Sequence, residues 1–273
     1  MRRAFLFLYL MNTVLITGAG SGIGAAVARQ MSRQQGLRLI LMGRTVATLN
    51  EVRNSCAQSE VHAVLPCDVG SADEVVAALA SAEANLGACP LVGVFANAGI
   101  GGPNAFGPGD RWEEILRINL TGVYNTAMAA YPHLQQSNGT RHVVVTSSVL
   151  ARFGVPGQTA YVASKTGLLG LVRSLAVAWS PEGILVNAVC PGWVDTDMAR
   201  ASIQALADLE GISFEASKRK QEALLPAGRM TSPEEMATWI EFLFRGLGEG
   251  SSEARVATFT GQALDVNSGS WMG

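Results

Sequence analysis

Tyr161 and Lys165 stand four residues apart in A-Y-V-A-S-K, a spacing that sets both side chains on one face of a helix. A free tyrosine has a pKa near 10, so only about one in a thousand is ionised at neutral pH. A lysine ammonium beside it stabilises the phenolate, and lowering the pKa by about three units corresponds to about 4 kcal/mol. That would make the phenol a usable proton donor and acceptor. Pairs of this kind are common on solvated helices, so a third group is needed to single this one out. Ser148 supplies it: it follows the apolar run 142–147 and precedes Tyr161 by 13 residues, where an inward hydroxyl can hydrogen-bond a substrate carbonyl.

These side chains need a scaffold that ends several strands at one place. Continuous V/I/L runs at 13–17, 38–42, 61–67, 91–96, 142–147, 184–189 and 262–266 read as strands, with helix-like segments starting near Ile23, Val46, Ala72, Arg111, Tyr161 and Pro233. Unbroken apolar strands alternating with amphipathic helices signal a parallel sheet covered on both faces. The expected fold is a Rossmann-type, doubly wound, three-layer α/β/α domain over residues 12–273. Residues 196–226 break the rhythm with two short helical patterns and no strand, and are expected to form a lid over the ligand crevice.

The first expected strand runs into Thr17-Gly18-Ala19-Gly20-Ser21-Gly22-Ile23-Gly24 and then a helix. Glycines permit a tight turn and close approach to a pyrophosphate, and the helix start offers free N–H groups and a positive dipole. In this strand–glycine–helix context the reading is dinucleotide binding. The acidic residue that would bind the adenosine ribose of NAD belongs about 20 positions further on. Arg44 stands there instead, in L-I-L-M-G-R-T. A guanidinium can pair with a 2′-phosphate, which favours NADP(H) while leaving NAD(H) open. Asp68, in P-C-D-V, could accept a hydrogen bond from the adenine amino group or cap the turn at 71–74.

Composition excludes several other classes. With 48% hydrophobic and 15% charged residues the chain is no disordered polymer. A net charge of −2 without a basic stripe argues against nucleic acid. Cys56, Cys67, Cys89 and Cys190 lack metal-ligand spacing and read as reduced thiols of a cytoplasmic protein, with no metal site expected. Arg2, Arg3 and the apolar residues 4–11 imitate the start of a signal peptide, but the run falls well short of the roughly 20 residues of a membrane span. Residues 1–11 read as a dispensable extension, with a membrane or partner anchor and an added piece of packing as the alternatives, and no membrane partner is expected.

With these residues in place, the sequence resembles the short-chain dehydrogenase/reductase family. The likeness rests on T-G-A-G-S-G-I-G at Thr17, C-D-V at Cys67, A-N-A-G at Ala96, R-I-N-L-T-G at Arg117, T-S-S at Thr146, Y-V-A-S-K at Tyr161, N-A-V-C-P-G-W-V-D-T at Asn187 and T-G-Q-A-L-D-V at Thr260. It implies a catalytic tetrad of Asn119, Ser148, Tyr161 and Lys165. Tyr161 would exchange the proton, Ser148 would orient the carbonyl oxygen, Lys165 would lower the Tyr161 pKa and hold the nicotinamide ribose, and Asn119 would keep a water relay. The cofactor site would comprise Gly18, Gly20, Ser21, Gly22, Ile23, Gly24, Arg44, Asp68, Val69, Asn97, Ala98, Gly99, Pro191, Gly192, Val194 and Thr196, with Tyr161 and Lys165. A homodimer or homotetramer is implied as well. Departures are Ala96 for the usual Asn, Ser21 where many NADP-specific members carry Lys or Arg, a V-N-S-G-S-W-M-G ending, and a longer loop at 246–255.

Leu150, Phe153, Val155, Trp193, Met198, Ile203 and Phe214 are the candidate pocket residues, and Lys218, Arg219 and Lys220 form a small basic run that reads mainly as a solvated helix face. The leading expectation is NADP(H)-dependent interconversion of a ketone and a secondary alcohol, with a 3-oxoacyl-type substrate as a candidate. The alternatives are an NAD-dependent, 3-hydroxybutyrate-like hydroxy-acid dehydrogenase and a non-catalytic nucleotide-binding redox sensor.

Overall fold

The computed structural model describes residues 11–86, 89–245, 247 and 258–273. Seven strands, β1 (Asn12–Thr17), β2 (Leu37–Gly43), β3 (Ala63–Pro66), β4 (Leu91–Ala96), β5 (Arg141–Thr146), β6 (Ile184–Pro191) and β7 (Ala263–Val266), form one sheet in the order β3-β2-β1-β4-β5-β6-β7. All six pairings are parallel. The chain reverses its direction of winding between β1 and β4, which opens a crevice at their carboxyl ends.

The helices are α1 (Gly22–Met31), α2 (Val46–Ser55), α3 (Ala72–Leu86), α4 (Trp112–Leu116), α5 (Gly122–Gln135), α6 (Thr159–Trp179), α7 (Asp197–Glu210), α8 (Phe214–Ala223) and α9 (Pro233–Leu243). Alternation along the strands divides the core between the two faces of the sheet. Leu15, Val94, Val143 and Val145 pack with α3, α5 and α6. Val14, Ile16, Phe95 and Val144 pack with α1, α2 and α9. Burial on both faces explains why these strands are continuous apolar runs. Phe95 is fully buried, and its truncation to Ala would cost about 3–5 kcal/mol.

Two expected elements are corrected. The strand expected at 61–67 shrinks to Ala63–Pro66, because Ser59–Val61 coils into a single 3-10 turn that aims His62 at the edge of β2, where its Nδ1 accepts the Leu39 N–H at 3.2 Å. The helix expected from Arg111 is broken by a wide π turn, Arg117–Thr121, between α4 and α5. The longer loop at 246–255 lies outside the described residues, apart from Leu247, and so does the N-terminal extension up to residue 10. As expected, 196–226 contains two helices and no strand: Thr196 and Ser213 cap α7 and α8 with their hydroxyls, and Ala199, Ile203, Leu225 and Met230 form a small core of their own.

Candidate active site

The glycine turn connects β1 to α1. Gly18 has φ +64°, and a Cβ there would lie 2.9 Å from the Ala98 Cα. A Cβ on Gly24 would collide with the Gly18 carbonyl, so the helix sits directly on the turn. Ser21, at the head of α1, makes no side-chain capping bond. The first-turn N–H groups are therefore left for a ligand, and an anion is the ligand they favour. Alongside lies a polar cavity of about 210 Å³ lined in part by Gly22, Asp195, Thr196 and Arg200. An uncapped helix start over a turn with no room for side chains fits the pyrophosphate of a dinucleotide.

The strand ends beside this turn are locked by polar bonds. The Thr17 hydroxyl accepts the N–H groups of Asn97 and Ala98, both at 3.0 Å. The Asn97 side chain donates to the Thr17 carbonyl at 3.2 Å and accepts from the Thr146 hydroxyl at 3.0 Å. Asn97 thus ties β1, β4 and β5 together. Ile23 packs partly buried against the α1 face of the core, and a Cβ on Gly192 would strike the Asn267 backbone. Pro191 ends β6, Val194 is buried, and the Thr196 methyl lies 3.2 Å from the position of a Gly22 Cβ.

The four residues assigned to catalysis come together across three elements. Asn119 sits fully buried on the π turn, its carboxamide donating to the Ile100 carbonyl at 2.9 Å and accepting the Ile100 N–H at 2.8 Å. Ser148 follows β5; its Oγ accepts the Leu150 N–H at 3.1 Å and lies near enough to the Tyr161 phenol to favour its ionised form. Lys165 is buried, its Nζ 5.6 Å from the Tyr161 ring centroid and donating to the Thr146 carbonyl at 2.8 Å. A Cβ on Gly99 would lie 3.1 Å from Asn119 Oδ1 and 3.5 Å from Lys165 Nζ, which places that glycine between them.

Burial pushes the Tyr161 phenol up, with the Ser148 hydrogen bond pulling in the opposite direction. Burial also brings the Lys165 ammonium down, to about 8. The expectation that Lys165 lowers the Tyr161 pKa is therefore not met in this geometry. Desolvation disfavours both charged forms, and the ammonium spends a hydrogen bond on Thr146.

The adenine end is more open. Arg44 is exposed just beyond β2, within electrostatic reach of Asp68. The Asp68 carboxylate accepts the Gly70 N–H at 2.9 Å and pairs with Arg117 at 2.9 Å, while Ser71 rather than Asp68 bonds the Glu74 N–H. Burial would raise Asp68, but the Gly70 bond, Arg117 and Arg44 together hold it below the usual carboxylate range. Val69 is buried, and its carbonyl accepts from Asn125 at 3.0 Å.

Among the pocket candidates, Ile203 takes the alternative of core packing: it is fully buried inside the α7–α8 core. Trp193 and Phe214 pack partly buried against that core. Phe153 and Met198 are exposed, Leu150 and Val155 half-buried, and the Met198 side chain closes to 3.1 Å from the position of a Gly101 Cβ. Lys218 and Lys220 pair with Glu222 and Glu210. Sequence reasoning gave no role to Thr17, Thr146 or Arg117, because a strand-end threonine or a helix arginine carries no signal until its distant partners are known.

The short chain dehydrogenase profile matches residues 12–207, and the chain belongs to that family. It is an NAD(P)-dependent oxidoreductase of CH–OH and C=O groups. Among its relatives, the 3-oxoacyl-[acyl-carrier-protein] reductase FabG of Pseudomonas aeruginosa is 33% identical over 96% of this chain and 98% of its own length. The D-beta-hydroxybutyrate dehydrogenase of Cupriavidus necator is 30% identical over 85% and 90%. A crystal structure of a single-residue variant of actinorhodin polyketide ketoreductase with NADPH superposes with a TM-score of 0.82 at 32% identity, covering 95% of this chain and 97% of that one. No helix among the described residues is long and apolar enough to cross a membrane.

Proposed function

We propose that the chain is an NADP(H)-dependent ketoreductase that converts a neutral ketone of 3-oxoacyl type into its secondary alcohol. The observation that carries this reading is the convergence of Ser148, Tyr161 and the buried Lys165, whose Nζ lies 5.6 Å from the Tyr161 ring centroid, at the strand ends that also hold the glycine turn. Bound NADPH would supply the hydride. The chain's part is to hold the carbonyl oxygen between the Ser148 and Tyr161 hydroxyls, where Ser148 polarises it and Tyr161 delivers its proton. A phenol pushed up by burial enters protonated at neutral pH, as reduction requires. Lys165 holds the nicotinamide ribose beside the phenol, and Asn119 keeps the wall at Ile100 in place for a water relay that returns the proton. Residues 196–226 act as the lid.

Arg44 supports NADP over NAD: it is an exposed guanidinium in the position for a 2′-phosphate. A relative of the same fold was crystallised with NADPH. Charge pairing supports a neutral substrate over a hydroxy acid, whose carboxylate would need an uncommitted cation. Arg111, Arg152, Arg200 and Lys220, on the loops and helices flanking the site, pair with Glu114, Asp265, Asp195 and Glu210 at 2.7–3.0 Å. Arg219 is exposed on α8. Tyr124 on α5 and Val177 on α6 expose apolar surface, which supports a homodimer or homotetramer through these helices. Light scattering would measure that mass directly.

The test is a fluorescence titration with NADPH and NADH, followed by turnover of a 3-oxoacyl thioester and of acetoacetate. Tighter NADPH binding and reduction of the thioester are expected. Tighter NADH binding with preference for acetoacetate would overturn the reading in favour of the hydroxy-acid dehydrogenase.

A further inference from the structure

We propose that Asn104 is a positioning residue for Tyr161, clamping the start of α6 to the loop between β4 and α4. The inference rests on the reading of Tyr161 as proton donor. α6 has no cap of its own, since Gln158 at its head makes no side-chain capping bond. The opening N–H groups of a helix need a partner from elsewhere. Asn104 provides one from 56 residues away: its Oδ1 accepts the Ala160 N–H at 2.9 Å and the Thr159 hydroxyl at 3.0 Å. Its own N–H donates to the Gly157 carbonyl at 2.9 Å.

The carboxamide is itself fixed. Asn104 Nδ2 donates to Asp110 Oδ1 at 3.1 Å, and the same oxygen accepts the N–H of Trp112, the first residue of α4, at 3.1 Å. At the other end of the loop the Asn119 carboxamide holds both backbone groups of Ile100, and Arg111 donates to the Gly101 carbonyl at 3.0 Å. One loop therefore grips the first turn of α6, where Tyr161 is the third residue, and the start of the helical segment that leads to Asn119. Tyr161 follows Ala160 directly, so a displaced first turn would move the phenol relative to Ser148, which is fixed to β5. The distance over which a catalytic group can drift without loss is well under 1 Å.

Three variants test this: Asn104→Ala, which removes both acceptor bonds; the double variant Asn104→Asp with Asp110→Asn, which keeps the acceptor oxygen and restores a donor between the two positions; and Asn104→Gln, which keeps the amide but shifts it by one methylene. The readouts are kcat for the accepted substrate, the Kd for NADPH by fluorescence, and the melting temperature, with Tyr161→Phe as reference. The expected result for Asn104→Ala is a fall in kcat of between about 10-fold and about 100-fold with NADPH affinity unchanged. The double variant Asn104→Asp with Asp110→Asn should recover kcat to within about threefold of wild type, well short of the loss expected from misplacement. If Asn104→Ala does not fold, Asn104→Gln is expected to show the same selective loss of kcat. Wild-type kcat in both Asn104→Ala and Asn104→Gln, or a loss that tracks melting temperature and cofactor affinity without rescue by the double variant, would overturn the inference. If Tyr161→Phe itself turned over at the wild-type rate, the functional reading would fall instead.

Discussion

At the proposed catalytic end of the cleft, Asn119, Ser148 and Lys165 are at most 7% exposed, and each is held by protein partners. At the adenine end Arg44 is exposed, and the Asp68 and Arg117 side chains keep 27% and 45% of their surface. The first region is organised before any ligand arrives, its side chains already fixed by bonds to the protein backbone. The second leaves charges in water, where pairing is weak and screened until a ligand excludes solvent. Substitutions at the buried end should therefore act on rate, and those at the open end on cofactor affinity.

The largest effect expected of the contrast is at Lys165. Lys165→Met removes the ammonium and leaves the Thr146 carbonyl unpaired; kcat should fall about 10³-fold, within the range of acid–base contributions. A comparable loss of NADPH affinity without loss of rate would break the division between the two ends. Next comes Arg44→Ala, expected to weaken NADPH by about tenfold, the worth of one charge-assisted hydrogen bond, while leaving NADH unchanged. Isothermal titration with both cofactors measures it. Arg117→Met should weaken NADPH by only about threefold, because the Asp68 pair is partly exposed and screened.

A pH experiment sharpens the burial argument. Lys165 titrates near 8 when folded against 10.5 in the unfolded chain, so between those values the unfolded chain binds more protons and stability rises with pH. The melting temperature of the ligand-free protein, compared with that of Lys165→Met, should show a gain over this window that the variant lacks. The smallest effect belongs to the surface of the proposed lid. Lys220→Ala breaks an exposed pair with Glu210, and it should change stability by less than about 0.5 kcal/mol and turnover not at all.

The two ends also differed in how far the sequence disclosed them. The parallel sheet could be read because strands buried on both faces must be apolar throughout, as in L-R-L-I-L-M-G of β2. The residues of the proposed chemistry could be found because few types exchange protons, and Tyr161, Lys165 and Ser148 recur at a telling spacing. The supporting bonds were hidden. Thr17, Thr146 and Asn104 act through partners 49 to 81 residues away, and nothing in their neighbours announces this. Ile203 misled because an apolar residue on an amphipathic helix looks the same whether it faces a pocket or a second helix. The mutual influence of Tyr161 and Lys165 was misjudged for a related reason: spacing brings two groups together but does not reveal how much water surrounds them.

The most direct test of the catalytic end is the turnover of Tyr161→Phe with NADPH and a 3-oxoacyl thioester, measured beside its NADPH dissociation constant. The phenol hydroxyl is the proposed proton donor, so kcat should fall by about 10³-fold or more while the dissociation constant stays at the wild-type value. Wild-type turnover by that variant would contradict the account.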